Sequence, residues 1–140
     1  KNYKRIIEAY DKGLKVGIII LILLGIIIFI ISEIAIKFFT DNNEVIKYGS
    51  LYLKISAFMF PAFPFFFIGN ATFQGLKRAI IVMYMSILRF VIIPLIFLIM
   101  ILKIFEINYT YMFISLATVH WIVGIMYYFF SKYKINKILE

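Results

Sequence analysis

Arg89, His120, Asn70 and Gln74 are the side chains with the most chemistry to offer, and all four stand in apolar surroundings. Asn70 and Gln74 are four residues apart, so a helix places them in one polar stripe that can hydrogen-bond a small molecule or tie helices together. Arg89 is set among Ile, Leu, Val and Phe, with Ser86 three residues earlier on its face. Its charge must therefore face other helices or an aqueous cavity. Bonding to backbone carbonyls or a partner helix ranks ahead of binding an anionic ligand. His120 follows Ser115 and Thr118, themselves at i and i+3. With no carboxylate close in sequence to hold its tautomer, His120 reads as a packing residue before a proton relay. Pro61 and Pro64 interrupt one apolar stretch and free the carbonyls of Ala57 and Phe60, while Pro94 does the same for Phe90. A kink or hinge at the paired prolines outranks a carbonyl cation site, because no carboxylate lies between Glu44 and Glu106.

Several classes of function fall away. Cysteine is absent and there is one histidine, which excludes thiolate chemistry and argues against a metal site. No Ser/His/Asp grouping, paired carboxylates or phosphate loop is present, so an enzyme is not expected. The net charge of +8 is divided among short segments and forms no groove-facing patch, which argues against a nucleic-acid partner.

The elements that carry these residues are long and apolar. Hydrophobic residues make up 64% of the chain and charged ones 16%, too much apolar surface for a soluble core of this size. Four stretches, Val16–Phe39, Ile55–Phe73, Ala79–Leu102 and Tyr111–Phe130, each meet the roughly 20 residues that a bilayer-crossing helix requires. An all-α polytopic membrane protein follows, its partner the lipid bilayer. Lys1, Lys4, Arg5, Lys12, Lys15, Lys77, Arg78, Lys132, Lys134 and Lys137 fall on the side that holds both ends. An excess of Lys and Arg marks the cytoplasmic side, so both termini of the segment are expected there.

Local signals refine the picture. Lys1–Leu14 is amphipathic and reads as an extension of the first span rather than a separate interfacial helix. Gly13 and Gly17 form a small-xxx-small pair, and Glu33 with Lys37 an interfacial ion pair. Asp41 and Glu44 resemble a capping box, and Gly75 is expected to end the second span and open a tight hairpin to the third. The outer connection from Lys103 to Thr110 is short. Tyr127, Tyr128, Phe129, Phe130 and Tyr133, with Lys132 and Lys134, read as an interfacial belt.

The order of several motifs carries a resemblance. A Lys/Arg-rich helix start leads to an apolar span ending in Phe38-Phe39-Thr40-Asp41, then Glu44-Val45-Ile46 and Tyr52-Leu53-Lys54-Ile55. A Pro-containing span follows, then Ala71-Thr72-Phe73-Gln74-Gly75-Leu76-Lys77-Arg78, and Leu88-Arg89 ahead of Ile93-Pro94-Leu95. This pattern resembles the C-terminal half of the multidrug and toxic compound extrusion (MATE) transporters over almost the whole chain. The resemblance implies that residues 1–140 are a partial C-terminal lobe, four helices (about 14–39, 44–74, 79–102 and 109–133) of a six-helix lobe. It implies an inner-membrane secondary transporter exporting small organic, often cationic, compounds in exchange for Na⁺ or H⁺. The partners would be the remaining helices of the transporter and the substrate, with no further cofactor. The helix with Pro61 and Pro64 would line the central cavity. Some members place a cation-binding carboxylate on that helix and this chain has none, so the coupling ion is expected outside the segment. Two alternatives stand beside it: a lipid-linked sugar flippase of the same superfamily, and a small four-helix membrane scaffold or channel subunit.

Overall fold

In hydrocarbon a backbone has no water to bond, so each apolar stretch must satisfy its own amides, and a helix does so within one segment. The computed structural model describes residues 3–104 and 109–139, and among these there are helices and turns but no strand. Helix α1 runs unbroken over Tyr3–Lys37, so the amphipathic start and the first span are one element. Helix α2, Asn43–Met59, passes through a 3₁₀ turn at Phe60–Ala62 into α3, Phe63–Gly75. Helix α4, Ala79–Ile87, passes through a π-helical turn at Leu88–Ile92 into α5, Ile93–Ile104, and α6 covers Tyr109–Leu139. Among the described residues four runs are long and apolar enough to cross a membrane: Lys4–Lys37, Asn43–Gly75, Ala79–Phe97 and Thr110–Ile138. Within the expected outer connection, residues 105–108 lie outside the described residues, as does Lys1.

The helix ends differ from the sequence reading in two places. Helix α2 is capped by Asn42 rather than Asp41: its Oδ1 accepts the Glu44 N–H at 2.9 Å and the Val45 N–H at 3.3 Å. Thr40 Oγ1 in turn accepts the Asn42 N–H at 3.2 Å, which fixes the cap one residue later. At the other end Gly75 is the last residue of α3, and it is Lys77 that takes the left-handed conformation, with φ 57°. The bonds Arg78 N–H to Phe73 O (2.8 Å) and Lys77 N–H to Gln74 O (2.9 Å) close a Schellman turn in which a lysine occupies the position that favours glycine.

The kinked α2–α3 run is the centre of the arrangement, with α1 against one side and α6 against another. Tyr10 and Leu14 of α1, Phe66 and Phe73 of α3, and Tyr127 and Ile135 of α6 form the buried cluster. Helices within lipid gain little from hiding apolar surface, so close packing must hold them. A seam of glycines supplies it. A Cβ on Gly17 would stand 3.1 Å from Pro64 Cβ, and one on Gly25 would stand 2.8 Å from the Ala57 carbonyl oxygen. The seam therefore continues well beyond the Gly13–Gly17 pair. Away from it α1 turns its isoleucines outward, Ile30 and Ile34 being about 70% exposed (70% and 71%). The Glu33–Lys37 pair forms as expected, at 2.7 Å and exposed.

Candidate functional site

The two prolines of the second span do kink it, but they do not leave the carbonyls of Ala57 and Phe60 free. The Phe60 N–H bonds Ala57 O and the Phe63 N–H bonds Phe60 O, because the chain tightens to 3₁₀ geometry and recaptures both within three residues. The carbonyl that takes an outside partner is that of Phe58, which accepts the Trp121 indole N–H at 2.8 Å from α6. A carbonyl cation site at Ala57 and Phe60 thus has neither open acceptors nor a carboxylate.

Below the kink the aromatic faces of α3 gather the polar residues. Arg89 lies on the π-helical turn that precedes Pro94, where the Ile93 N–H reaches back five residues to Leu88 O. That widened turn is the local answer to a proline, which has no N–H to give. The Arg89 guanidinium carbon stands 3.7 Å from the ring centroid of Phe66, 4.9 Å from Phe90 and 5.5 Å from Phe63. A desolvated cation–π contact contributes about 2 kcal/mol, comparable to the roughly 2.5–3.5 kcal/mol that a mid-span Arg costs on insertion. Arg89 is therefore held by a partner helix through rings. No carboxylate pairs with it among the described residues.

His120 packs on the same two rings, 4.7 Å from Phe63 and 5.3 Å from Phe66, with a buried Nε2 that has no hydrogen-bond partner among the described residues. One turn further along α3, Asn70 Oδ1 accepts a short hydrogen bond from the Tyr127 hydroxyl. Gly69 makes this possible: a Cβ there would lie 2.6 Å from the Tyr127 ring and 3.0 Å from Ser131 Oγ. Ser131 and Tyr10 are fully or nearly buried, and neither hydroxyl has a well-formed hydrogen bond among the described residues. At the end of this polar column Lys132 Nζ reaches Asp11 Oδ1 at 3.4 Å and Tyr128 Oη at 3.3 Å.

Structure and sequence reading part company for several residues. Arg89, His120 and Asn70 converge on α3 and α6. Gln74 is exposed beyond them and does not join the stripe in the interior. Ser115 Oγ donates to Met112 O and Thr118 Oγ1 to Ile114 O, both at 2.9 Å, so these hydroxyls are spent on their own helix. The aromatic belt divides: Phe129 and Tyr133 are exposed, but Tyr127 is 2% exposed and belongs to the core. Tyr10, Gly69, Tyr127 and Ser131 were not singled out as a group. The signal was the spacing of His120, Gly124, Tyr127, Ser131 and Ile135, steps of four, three, four and four that mark one face of α6. On it a Cβ at Gly124 would meet Phe65 at 3.2 Å.

A kinked apolar span with polar residues turned toward neighbouring helices, inside four membrane-length helices, defines a multi-pass membrane protein. The chain belongs to the MatE family, whose profile it matches over residues 1–100, and that family consists of transporters rather than enzymes. No curated protein and no solved structure matches the chain at a significant level. The matched range carries α1 through the π-helical turn and most of α5. Helix α6 lies beyond it and joins through the Trp121–Phe58 and Tyr127–Asn70 bonds.

Proposed function

We propose that this chain forms part of the C-terminal lobe of a secondary active transporter that exports organic compounds across the cell membrane in exchange for Na⁺ or H⁺. The MatE match carries this reading. The kinked α2–α3 run is the cavity wall in this reading, with the half-buried Phe63 ring and the Asn70 amide nitrogen offered to a passing substrate and Phe66 buried behind them. In this reading the coupling ion binds outside the segment, and the support is that no carboxylate lies between Glu44 and Glu106. Both ends of the segment face the cytoplasm, following the distribution of Lys and Arg.

The test is dye efflux by the intact protein in proteoliposomes, with Na⁺ and pH gradients imposed separately. Accumulation driven by one gradient and collapsed by its ionophore is the expected result; no flux under either gradient refutes the proposal. The Arg89 guanidinium, without a carboxylate partner among the described residues, favours one alternative: a flippase for lipid-linked sugars carrying pyrophosphate. A cell-wall precursor defect with no dye efflux selects that alternative.

A further inference from the structure

We propose that the groove between the start of α1 and the end of α3 is a binding site for one anionic phospholipid. The groove has a volume of about 440 Å³ and is walled by Ile6, Ala9, Ile68, Ala71 and Leu76, with Arg5 among its lining residues. That volume falls within the roughly 300–1,000 Å³ of ligand clefts. At Gly75 the wall is open, for a Cβ there would meet nothing within 4 Å. In a bilayer such an apolar groove between spans is filled by acyl chain, and the question is which headgroup follows.

The charges at its end answer that. Arg5 is on the wall, Lys4 precedes it, and Lys77 and Arg78 follow directly on Leu76, all four exposed. The Schellman turn, closed by Arg78 N–H to Phe73 O, fixes where the last two emerge. Glu8 is the acid within a turn of Arg5, yet neither Arg5 nor Arg78 forms an ion pair among the described residues. Asp11 is already engaged by Lys132. Unpaired cations from the start of α1, with Arg5 on the slot itself, and from the turn that follows its lining residue Leu76 fit a phosphodiester with its chain attached, and basic pockets between spans bind such headgroups. The site needs the helices to lie in a membrane and the groove to face lipid in the intact protein. Its leaflet, the cytoplasmic one, rests on the orientation proposed above.

The experiment is native mass spectrometry of the intact protein, titrated with phosphatidylglycerol or phosphatidylcholine of identical chains. Phosphatidylglycerol is expected to bind more tightly. Arg5→Gln and Arg78→Gln should each weaken it about fivefold, the equivalent of about 1 kcal/mol per cation, and leave phosphatidylcholine unchanged. Ala71→Leu, which fills the slot without touching charge, should weaken both lipids. Lys137→Gln, an equal loss of charge from exposed α6, should alter neither. Millimolar inorganic phosphate should not displace the lipid. Equal binding of the two lipids overturns the proposal, as does an Ala71→Leu protein that binds normally. So does a Lys137→Gln loss as large as that of Arg5→Gln, or full competition by phosphate. None of these readouts involves transport, so failure of the efflux assay leaves this site untouched and the converse holds too.

Discussion

Replacing Gly69 by alanine adds one methyl group where the structure has no room for it. The new Cβ would stand 2.6 Å from Tyr127 Cε1 and 3.0 Å from Ser131 Oγ. The Tyr127 ring cannot swing aside, because its face stacks on Phe66 at 5.4 Å and its hydroxyl is bonded to Asn70. Overpacking of this kind costs about 1–3 kcal/mol. If the ring is displaced, the Tyr127–Asn70 bond goes with it, and interhelical bonds in membranes average about 0.6 kcal/mol. Against this, alanine favours a helix over glycine by about 1 kcal/mol. Gly75→Ala isolates that last contribution, since its Cβ meets nothing within 4 Å and its φ is not positive. The propensity gain therefore largely cancels between the two variants, and Gly69→Ala should be the less stable by about 2–3.5 kcal/mol. On the scale of ordinary domains that is a difference of about 5–10 °C. The assay is the midpoint of heat-induced loss of the monodisperse species in mild detergent, both variants being heated at one scan rate because unfolding of this kind is often irreversible. A Gly69→Ala protein that melts with or above Gly75→Ala refutes the close α3–α6 approach.

Other expectations rest on single contacts. Trp121→Phe removes the indole N–H from Phe58 O and should cost about 1 kcal/mol, with faster deuterium exchange of the amides between Ala62 and Phe66; unchanged exchange means that α6 does not latch the kink. Lys77→Gly should raise the melting midpoint by the equivalent of about 1 kcal/mol, since a left-handed residue with a Cβ carries a penalty of that order, and a lower midpoint would contradict the turn. Ser131→Ala should be neutral or stabilising by up to about 1 kcal/mol, because the buried hydroxyl it removes has no well-formed bond; a clear loss of stability would reveal one.

Much of this protein was legible along the chain. Four membrane-length helices follow from the runs of Ile, Leu and Phe, for in lipid an unpaired amide costs too much to allow anything else. The kink followed from Pro61 and Pro64, and the Glu33–Lys37 pair from its spacing of four, because these are events within a single helix. Even the placement of Asn70, Arg89 and His120 against other helices was implied by the cost of exposing them to hydrocarbon. What the residue order left open was partnership. Which carbonyl at the kink takes an outside donor depends on where α6 lies, and that made it Phe58 rather than Ala57 or Phe60. Tyr127 reads alone as an interfacial aromatic and becomes a core residue only because Gly69 lets two helices approach. Helix type is set by neighbours in sequence, within reach of a few residues of backbone. The identity of a partner is set by the rotation and separation of two helices, which is settled by the packing of whole faces at once.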